Sequence, residues 1–261
     1  MGPARAAAGR PLFLVHGGSG NIVNLVGLAR SMGRLGAVDG PIFGLEAAGL
    51  RGGPMDASIT AMARRYVAAI SAIEPHGPYL LGGFSIGGGI ALEMAAQLIE
   101  AGERVAGVVL LDAHPSLAPP LGDDQLRYVG RHLRSRGPRA VWPWVRRQVR
   151  WRLGRRSDPA MLSRLGYDDP DARGEVFLEE AIFALGRDHS AHHLRSVAVD
   201  AVLVKSRELW PGFPWDYGWG SYVLGSLAVE IAGGDHLTML DGPNVSSAAE
   251  LVTGHLRRWR V

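Results

Sequence analysis

The sequence contains no cysteine and almost no lysine. The absence of cysteine from its 261 residues excludes disulfide bonds, thiolate metal sites and a cysteine nucleophile. Lys205 is the only lysine, so arginine supplies every other basic side chain. This bias is typical of a GC-rich genome, and we therefore expect a bacterial source.

Long hydrophobic runs are missing as well. No apolar stretch reaches the roughly 18 residues that suggest a membrane-spanning helix. Residues 1–11 carry arginines but no apolar core, so they predict a short tail rather than a secretory signal. A cytoplasmic protein is the resulting expectation.

The length and the 47% hydrophobic content predict one large domain, residues 1–261, with a sizeable core.

The positive charge is concentrated in one segment. The net charge is +3, yet residues 127–156 hold 11 arginines and no acidic residue. The remainder of the chain therefore has more acidic than basic residues. Any basic surface is expected to belong to this segment alone.

The most informative motif is G-x-S-x-G in the run YLLGGFSIGGG, residues 79–89. An apolar strand precedes Ser85 and a helical stretch follows it, which is the pattern of a nucleophile elbow. Gly83 and Gly87 would let strand and helix approach closely at the turn. A dinucleotide-binding loop is the alternative, but the G-x-G-x-x-G run and later acidic residue of that motif are absent.

Apolar runs alternate with helical periodicity on both sides of this motif. The pattern predicts an α/β-hydrolase fold: a mostly parallel central sheet with helices on both faces. The alternation stops at Asp112, and residues from about 114 to 197 predict an inserted helical lid. The predicted strands outside the elbow are 11–16, 41–45, 105–111, 201–205 and 226–231, and the predicted helices are 20–35, 57–73, 90–99 and 245–259. Asp56 is the expected N-cap of helix 57–73.

A serine nucleophile needs a base and an acid that orients the base. The chain order in this fold is serine, acid, histidine. His236 follows the last predicted strand in a Gly-Gly-Asp turn, which makes it the predicted base. Asp112 ends the strand after Ser85 and is the predicted acid. Glu208, after strand 201–205, is the rival acid.

The remaining histidines have other predicted roles. His114 precedes the lid and would reverse the order of acid and base. We expect His189, His192 and His193 to occupy a solvated helix face rather than a metal site, because carboxylates in ligand spacing are lacking nearby. His255 is expected on the surface of the last helix, and no metal site is predicted.

Two backbone N–H groups must hold the oxyanion of the tetrahedral intermediate. Ile86, directly after the predicted nucleophile, supplies one. The loop HGGSG after the first strand supplies the other, with Gly18 as the predicted donor and Gly17 as its rival.

Together these segments resemble the type I, chain-terminating thioesterase domains of nonribosomal peptide and polyketide synthases. The similar segments are FLVHGGSGN, LLGGFSIGG, VVLLDAHP, PWDYGWGSYV and GGDHLTML, which extend over nearly the whole chain. An acid one strand after the serine is typical of the chain-terminating type. The stand-alone editing type carries its acid after a later strand, near the position of Glu208.

The resemblance implies a two-step reaction. Ser85 would take an acyl or peptidyl chain from the phosphopantetheine of a carrier protein, and water or an internal nucleophile would release it as an acid or a macrocycle. No metal or bound cofactor is implied. An editing thioesterase or carboxylester hydrolase is the first alternative, and a non-catalytic binding module of the same fold is the second.

The arginine-rich segment suggests how a carrier domain is recognised. Carrier domains are usually acidic, so Arg146, Arg147 and Arg150 are candidate contacts that would speed encounter. A solvated helical face is the alternative. Tryptophans lie among these arginines, as nucleic-acid binding would require, but a lid over a lipophilic substrate needs aromatic side chains too. We expect no nucleic-acid or membrane partner.

Overall fold

Six parallel strands form the centre of the molecule. The computed structural model describes residues 9–51, 53–115, 170–207 and 214–259. Within these ranges the strand order is β2-β1-β3-β4-β5-β6, and every pairing is parallel. The strands are β1 (Leu12–Val15), β2 (Ile42–Leu45), β3 (Tyr79–Phe84), β4 (Val105–Leu111), β5 (Ala201–Ser206) and β6 (Leu227–Ala232).

Helices cover both faces of the sheet. The described helices are α1 (Val23–Arg34), α2 (Ile59–Ile73), α3 (Ile86–Glu100), α4 (Pro170–His192) and α5 (Asn244–Arg258). One hydrophobic cluster joins α2, α3 and α4 to one face, and a second joins α1 and α5 to the other. The predicted α/β architecture is confirmed.

The apolar runs became strands because both sides of the sheet are covered. Every residue of β3 and of β5 is buried, and a parallel strand buried on both faces shows a continuous apolar run instead of an alternating one. The edge strand β2 is only partly buried. Strand ends were therefore predictable to within one or two residues.

The first turn of α2 differs from the prediction. The helix begins at Ile59, and the Ser58 hydroxyl caps it by accepting a hydrogen bond from the Ala61 N–H at 3.0 Å. Asp56, the expected cap, instead forms a bidentate ion pair with Arg65, with its shortest contact at 2.8 Å. The proposed capping role of Asp56 is therefore wrong.

Helix α4 lies in the segment expected to form the lid, between β4 and β5. Leu178 and Ile182 of this helix are buried against the cluster that contains α2 and α3. Phe183 contacts Gly18 in the loop after β1. The helix thus covers the sheet edge at which β1 and β3 end, while residues 116–169 of the expected lid lie outside the described residues.

The helices in the described ranges include none that is both long enough and apolar enough to cross a bilayer.

Candidate active site

Ser85 occupies a strained turn between β3 and α3. Its φ of 57° lies in a region that non-glycine residues rarely adopt, and such strain clusters at functional sites. A Cβ at Gly83 would collide with the Gly87 backbone, and one at Gly87 would collide with the His16 carbonyl. The Ser85 N–H donates to the Leu111 carbonyl at 2.8 Å. The motif therefore folds as the elbow that the sequence predicted.

Asp112 and His236 lie in direct contact. The imidazole Nδ1 of His236 donates to Oδ2 of Asp112 at 2.8 Å. Asp112 follows β4 and is fully buried, whereas 14% of the His236 side chain is exposed. Since both residues follow strands of one parallel sheet, they meet at the same edge as Ser85. The structure thus brings the predicted acid and base together.

Three further donors hold the Asp112 carboxylate. The backbone N–H of Ser206 donates to Oδ1 at 2.9 Å, and the Ser206 hydroxyl donates to Oδ2 at 3.0 Å. The Tyr217 hydroxyl donates to Oδ1 at 3.2 Å. Burial acts to raise the pKa of Asp112, but its hydrogen bond to His236, the attraction of that ring in its protonated form and the Ser206 N–H lower the pKa below its ordinary value. Asp112 is therefore an anion that orients His236.

The loop that carries His236 is shaped by Asp235. One carboxylate oxygen of Asp235 accepts hydrogen bonds from the N–H groups of Leu237 and Thr238 at 3.0 and 2.9 Å and from the Thr238 hydroxyl at 2.8 Å. The His236 ring stacks on Phe84, with the ring centroids 5.0 Å apart. Since Phe84 directly precedes Ser85, this stacking holds the imidazole beside the elbow.

The loop after β1 is anchored by a buried histidine. His16 is fully buried; its Nδ1 donates to the Gly17 carbonyl at 2.6 Å. Its Nε2 therefore accepts from the Tyr66 hydroxyl at 2.8 Å. Burial lowers the pKa of His16, which favours this neutral form. The pair fixes the loop that holds both candidate oxyanion donors, Gly17 and Gly18.

The second predicted oxyanion donor is Ile86, the first residue of α3. N–H groups in the first turn of a helix have no partner within the helix and favour negative charge. Gly18 lies beneath Phe183 of α4. The oxyanion roles of Ile86 and Gly18 stay predictions, with Gly17 still the alternative.

An aromatic loop supports the acid from the other side. Lys205 is almost fully buried, and its ammonium donates to the Trp215 carbonyl and lies 4.1 and 4.7 Å from the ring centroids of Trp215 and Tyr217. The indole N–H of Trp219 donates to the Ala113 carbonyl at 2.8 Å. The loop thereby fixes Tyr217 at the carboxylate of Asp112.

Two expectations about histidines are wrong. His189 is buried at the inner side of α4, whereas His192 and His193 are exposed as expected. His255 is buried too, and its Nε2 lies 3.0 Å from Oε1 of Glu230. Both departures arise because helices α4 and α5 turn these positions toward their neighbours.

The predictions about a metal site and the lid can be compared only with the described ranges. In the ranges that the structure describes, there is no group of three or more potential ligands placed to hold a metal ion, and metal independence stays a prediction. The rival acid Glu208 and the arginines Arg146, Arg147 and Arg150 lie outside the described residues.

Sequence reasoning did not identify Ser206, Tyr217 or the pair of His16 and Tyr66. Ser206 ends β5 at the edge where the catalytic residues collect, which was a usable signal. Tyr217 belongs to the aromatic and glycine-rich stretch already noted for its resemblance. Tyr66 gave no signal, because its contact with His16 joins residues 50 positions apart.

Comparisons with known proteins identify thioesterase relatives of this chain. Residues 10–121 match the family model described as Thioesterase domain. The dimodular nonribosomal peptide synthase of Bacillus subtilis is 33% identical over 196 residues, which cover 72% of this chain and 7% of that protein. The non-reducing polyketide synthase crz7 of Cladonia metacorallifera is 38% identical over 121 residues, 45% of this chain and 6% of that protein.

A third relative is named as an inactive protein. The protein of Paxillus involutus named inactive atromentin synthetase invA6 is 35% identical over 113 residues, 43% of this chain and 11% of that protein. The chain therefore spans only a small part of these curated relatives. They include fungal and bacterial proteins, so they do not support the expected bacterial origin.

Among solved structures, the NocB thioesterase domain in covalent complex with a fluorophosphonate nocardicin G analogue is similar over the whole fold. The TM-score is 0.67 at 27% identity, with 96% of this chain and 94% of that chain covered. Fold and site together define an α/β-hydrolase. Within that class, the resemblance to thioesterase domains of nonribosomal peptide and polyketide synthases is confirmed.

Proposed function

We propose that this chain releases acyl or peptidyl chains from a carrier-protein thioester through an acyl-enzyme on Ser85. The observation that carries the proposal is the pair of Asp112 and His236 at 2.8 Å, at the sheet edge where Ser85 occupies its elbow. This is the arrangement that a serine nucleophile needs. The covalent fluorophosphonate complex of the NocB domain supports the same chemistry for a similar fold.

The contacts of His236 assign its two nitrogens. Because Nδ1 donates to Asp112, Nε2 is the nitrogen that accepts the Ser85 proton as the oxygen attacks the thioester carbonyl. Ile86 and Gly18 N–H groups stabilise the oxyanion. The thiolate leaves with the proton from His236, and the same imidazole then activates the nucleophile that cleaves the ester. These steps require no metal or bound cofactor.

A carrier-bound substrate is supported by the context of the relatives. The matched segments of the Bacillus subtilis and Cladonia proteins are small parts of synthases, so a carrier domain presented in the same assembly is the natural partner. The released product is a linear acid if water attacks, or a macrocycle if an internal amine or hydroxyl attacks.

The direct test is product analysis with carrier-bound and small-thiol thioesters of the same acyl chains, using wild type and Ser85→Ala. We expect wild type to release free acid or ring from both, and Ser85→Ala to release neither. Cleavage of simple carboxylate esters without any thioester turnover would instead indicate a carboxylester hydrolase. Binding without covalent labelling or turnover would indicate a non-catalytic module.

The arginine-rich segment offers a test of carrier recognition. Replacing Arg146, Arg147 and Arg150 together by alanine should slow release from the carrier at low salt, because it removes electrostatic steering. Release from a small thiol should be unchanged. Equal effects on both substrates would contradict a role in carrier recognition.

A further inference from the structure

The single lysine of the chain lies inside the protein, close to the carboxylate of Asp112. Arginine supplies every other basic side chain, yet position 205 holds a lysine that is only 1% exposed. It directly precedes Ser206, whose N–H and hydroxyl both donate to Asp112. Lysine is almost never fully buried unless specific partners receive its charge, so the contacts of Lys205 indicate what it does.

The buried ammonium contacts the aromatic loop, residues 214–222. It donates to the Trp215 carbonyl, and it lies 4.1 and 4.7 Å from the ring centroids of Trp215 and Tyr217. A cation over an aromatic ring is attracted to it, and most strongly where water is excluded. The three contacts converge on one nitrogen, which suits the compact ammonium of lysine better than the planar guanidinium of arginine.

Two neighbouring carboxylates favour the charged form of this ammonium. Burial lowers the pKa of Lys205, and the negative charges of Asp112 and Asp216 act in the opposite direction. Because electrostatic attraction is mutual, the ammonium also favours the ionised form of Asp112. Lys205 is therefore placed to act on both the aromatic loop and the carboxylate that the loop contacts.

The aromatic loop holds Tyr217 in a strained backbone conformation. In the parts of the chain that the structure describes, the non-glycine residues with a positive φ are Ser85 at 57°, Asp112 at 42° and Tyr217 at 56°. The first two are the predicted nucleophile and acid, and the third donates its hydroxyl to Asp112. Such strain persists only where surrounding contacts impose it. The ammonium on the Tyr217 ring is one such contact, and the His114 ring, stacked at a centroid distance of 3.8 Å, is another.

We propose that Lys205 is a positioning residue, whose ammonium holds Tyr217 so that the tyrosine hydroxyl fixes the carboxylate of Asp112. It acts through Tyr217 and takes no part in bond cleavage. The inference rests on the proposed function in one respect, which is that Asp112 orients the base that activates Ser85.

Proton NMR tests this arrangement without a substrate. The proton between His236 and Asp112 lies between an imidazole nitrogen and a buried carboxylate, so it should resonate far downfield of the amide protons. Lys205→Met removes the charge and keeps a side chain of similar length. We expect this variant to displace the resonance, and Tyr217→Phe to displace it similarly.

The rate at which a small fluorophosphonate labels Ser85 separates positioning from packing. Lys205→Met should label about 3–30-fold more slowly than wild type, the effect of losing about one hydrogen bond to the acid. Because the lysine acts through the tyrosine hydroxyl, adding Lys205→Met to Tyr217→Phe should slow labelling by less than a further factor of about three. Melting temperatures would verify that each variant is folded.

Arg257→Met is the matched control. Arg257 is an exposed cation on α5 that also donates to a backbone carbonyl, that of Leu35 at 2.6 Å, but it has no contact with the aromatic loop. This variant should keep the wild-type resonance and the wild-type labelling rate.

Trp215→Leu provides the test if Lys205→Met does not fold. Trp215 is 59% exposed, so its replacement should not disturb the core. The change removes one of the two rings beside the ammonium, and we expect a displaced resonance and slower labelling.

A wild-type resonance and labelling rate in folded Lys205→Met, or in Trp215→Leu if the first variant is unfolded, would overturn the proposal. A double variant whose loss is the product of the two single losses would also overturn it, because Lys205 and Tyr217 would then act independently. Absence of thioester turnover would contradict the proposed function alone, since the resonance reports on Asp112 and His236 with no substrate present.

Discussion

At the scale of single residues, the centre of the site is the buried carboxylate of Asp112. Four hydrogen bonds reach it, from His236, from Tyr217 and from both the backbone and the hydroxyl of Ser206. Hydrogen bonds to a charged group are stronger than those between neutral groups. The carboxylate therefore has one orientation, and that orientation fixes the imidazole.

Replacing Asp112 by asparagine tests the acid. The amide cannot accept all of these hydrogen bonds, and an amide N–H facing His236 favours the wrong tautomer. We expect kcat to fall by roughly 10³–10⁴-fold in a thioester hydrolysis assay. A loss of less than about tenfold, together with a large loss in Glu208→Gln, would identify Glu208 as the acid instead.

Tyr217→Phe removes one donor to Asp112 and leaves the other three. Because the carboxylate keeps its contact with His236, we expect kcat to fall by only about 3–30-fold, the effect of about one hydrogen bond. Tyr222→Phe is the matched control, since Tyr222 belongs to the same loop and packs on Trp219. Equal kinetics of both variants would show that Tyr217 does not support the acid.

The sequence could predict Ser85, Asp112 and His236 because each follows a recognisable strand in the order that the fold requires. It could not predict that Ser206 and Tyr217 would meet Asp112, since those contacts join positions 94 and 105 residues apart. Only the alignment of β4 with β5 and the path of the aromatic loop bring them together.

At the scale of elements, the turn from β3 to α3 depends on close backbone approach. Strand β1 pairs with β3 in the register that places Val15 opposite Gly83, and Gly87 lies against the His16 carbonyl. The elbow and the oxyanion loop are thus packed against each other. The pattern of apolar residues in the sequence predicted the helices and strands themselves. The inward positions of His189 and His255 could not be predicted from periodicity, because they result from the way helices α4 and α5 pack.

Gly87→Ala tests this packing. The added methyl group meets backbone rather than a flexible side chain, so we expect a loss of about 1–3 kcal/mol in the free energy of unfolding, measured by urea denaturation. Gly254→Ala in α5 is the control, because nothing lies within 4 Å of its added Cβ. The free energy of unfolding of that variant should increase by roughly 0.5–1 kcal/mol, because alanine has a higher helix propensity than glycine. A harmless Gly87→Ala would show that the two loops are not tightly packed.

At the scale of the whole molecule, parallel strands collect their carboxyl ends at one edge. Ser85, Asp112 and His236 follow β3, β4 and β6, and helices on both faces bury the sheet between them. The same packing buries three histidines whose pKa values burial lowers: His16, His114 and His189.

These buried histidines predict acid sensitivity. A histidine whose pKa is lowered by folding takes up its proton at a higher pH in the unfolded chain than in the folded protein. Its contribution to the free energy of unfolding is therefore complete above a pH of about 6.5 and falls as the pH decreases below that value. For His114 the loss continues down to its folded pKa of about 3. Asp112 acts in a lower window, because its contribution is lost only below the ordinary carboxyl pKa of about 3.9.

His114→Phe should reduce this sensitivity. Between pH 7 and pH 5 we expect the variant to lose about 2 kcal/mol less free energy of unfolding than wild type, since each unit below pH of about 6.5 is worth about 1.4 kcal/mol for one histidine. The exposed His192→Phe should behave as wild type. Equal pH dependence in all three proteins would contradict a neutral, buried His114.

The proposed reaction requires that Ser85 is a nucleophile activated by His236. Intact-mass spectrometry after reaction with a fluorophosphonate, followed by peptide mapping, tests it most directly. We expect one adduct on Ser85 in the wild type, none in Ser85→Ala, and labelling slowed by at least about 10³-fold in His236→Ala. No adduct on folded wild-type protein, or labelling of Ser85 at an unchanged rate in His236→Ala, would contradict it.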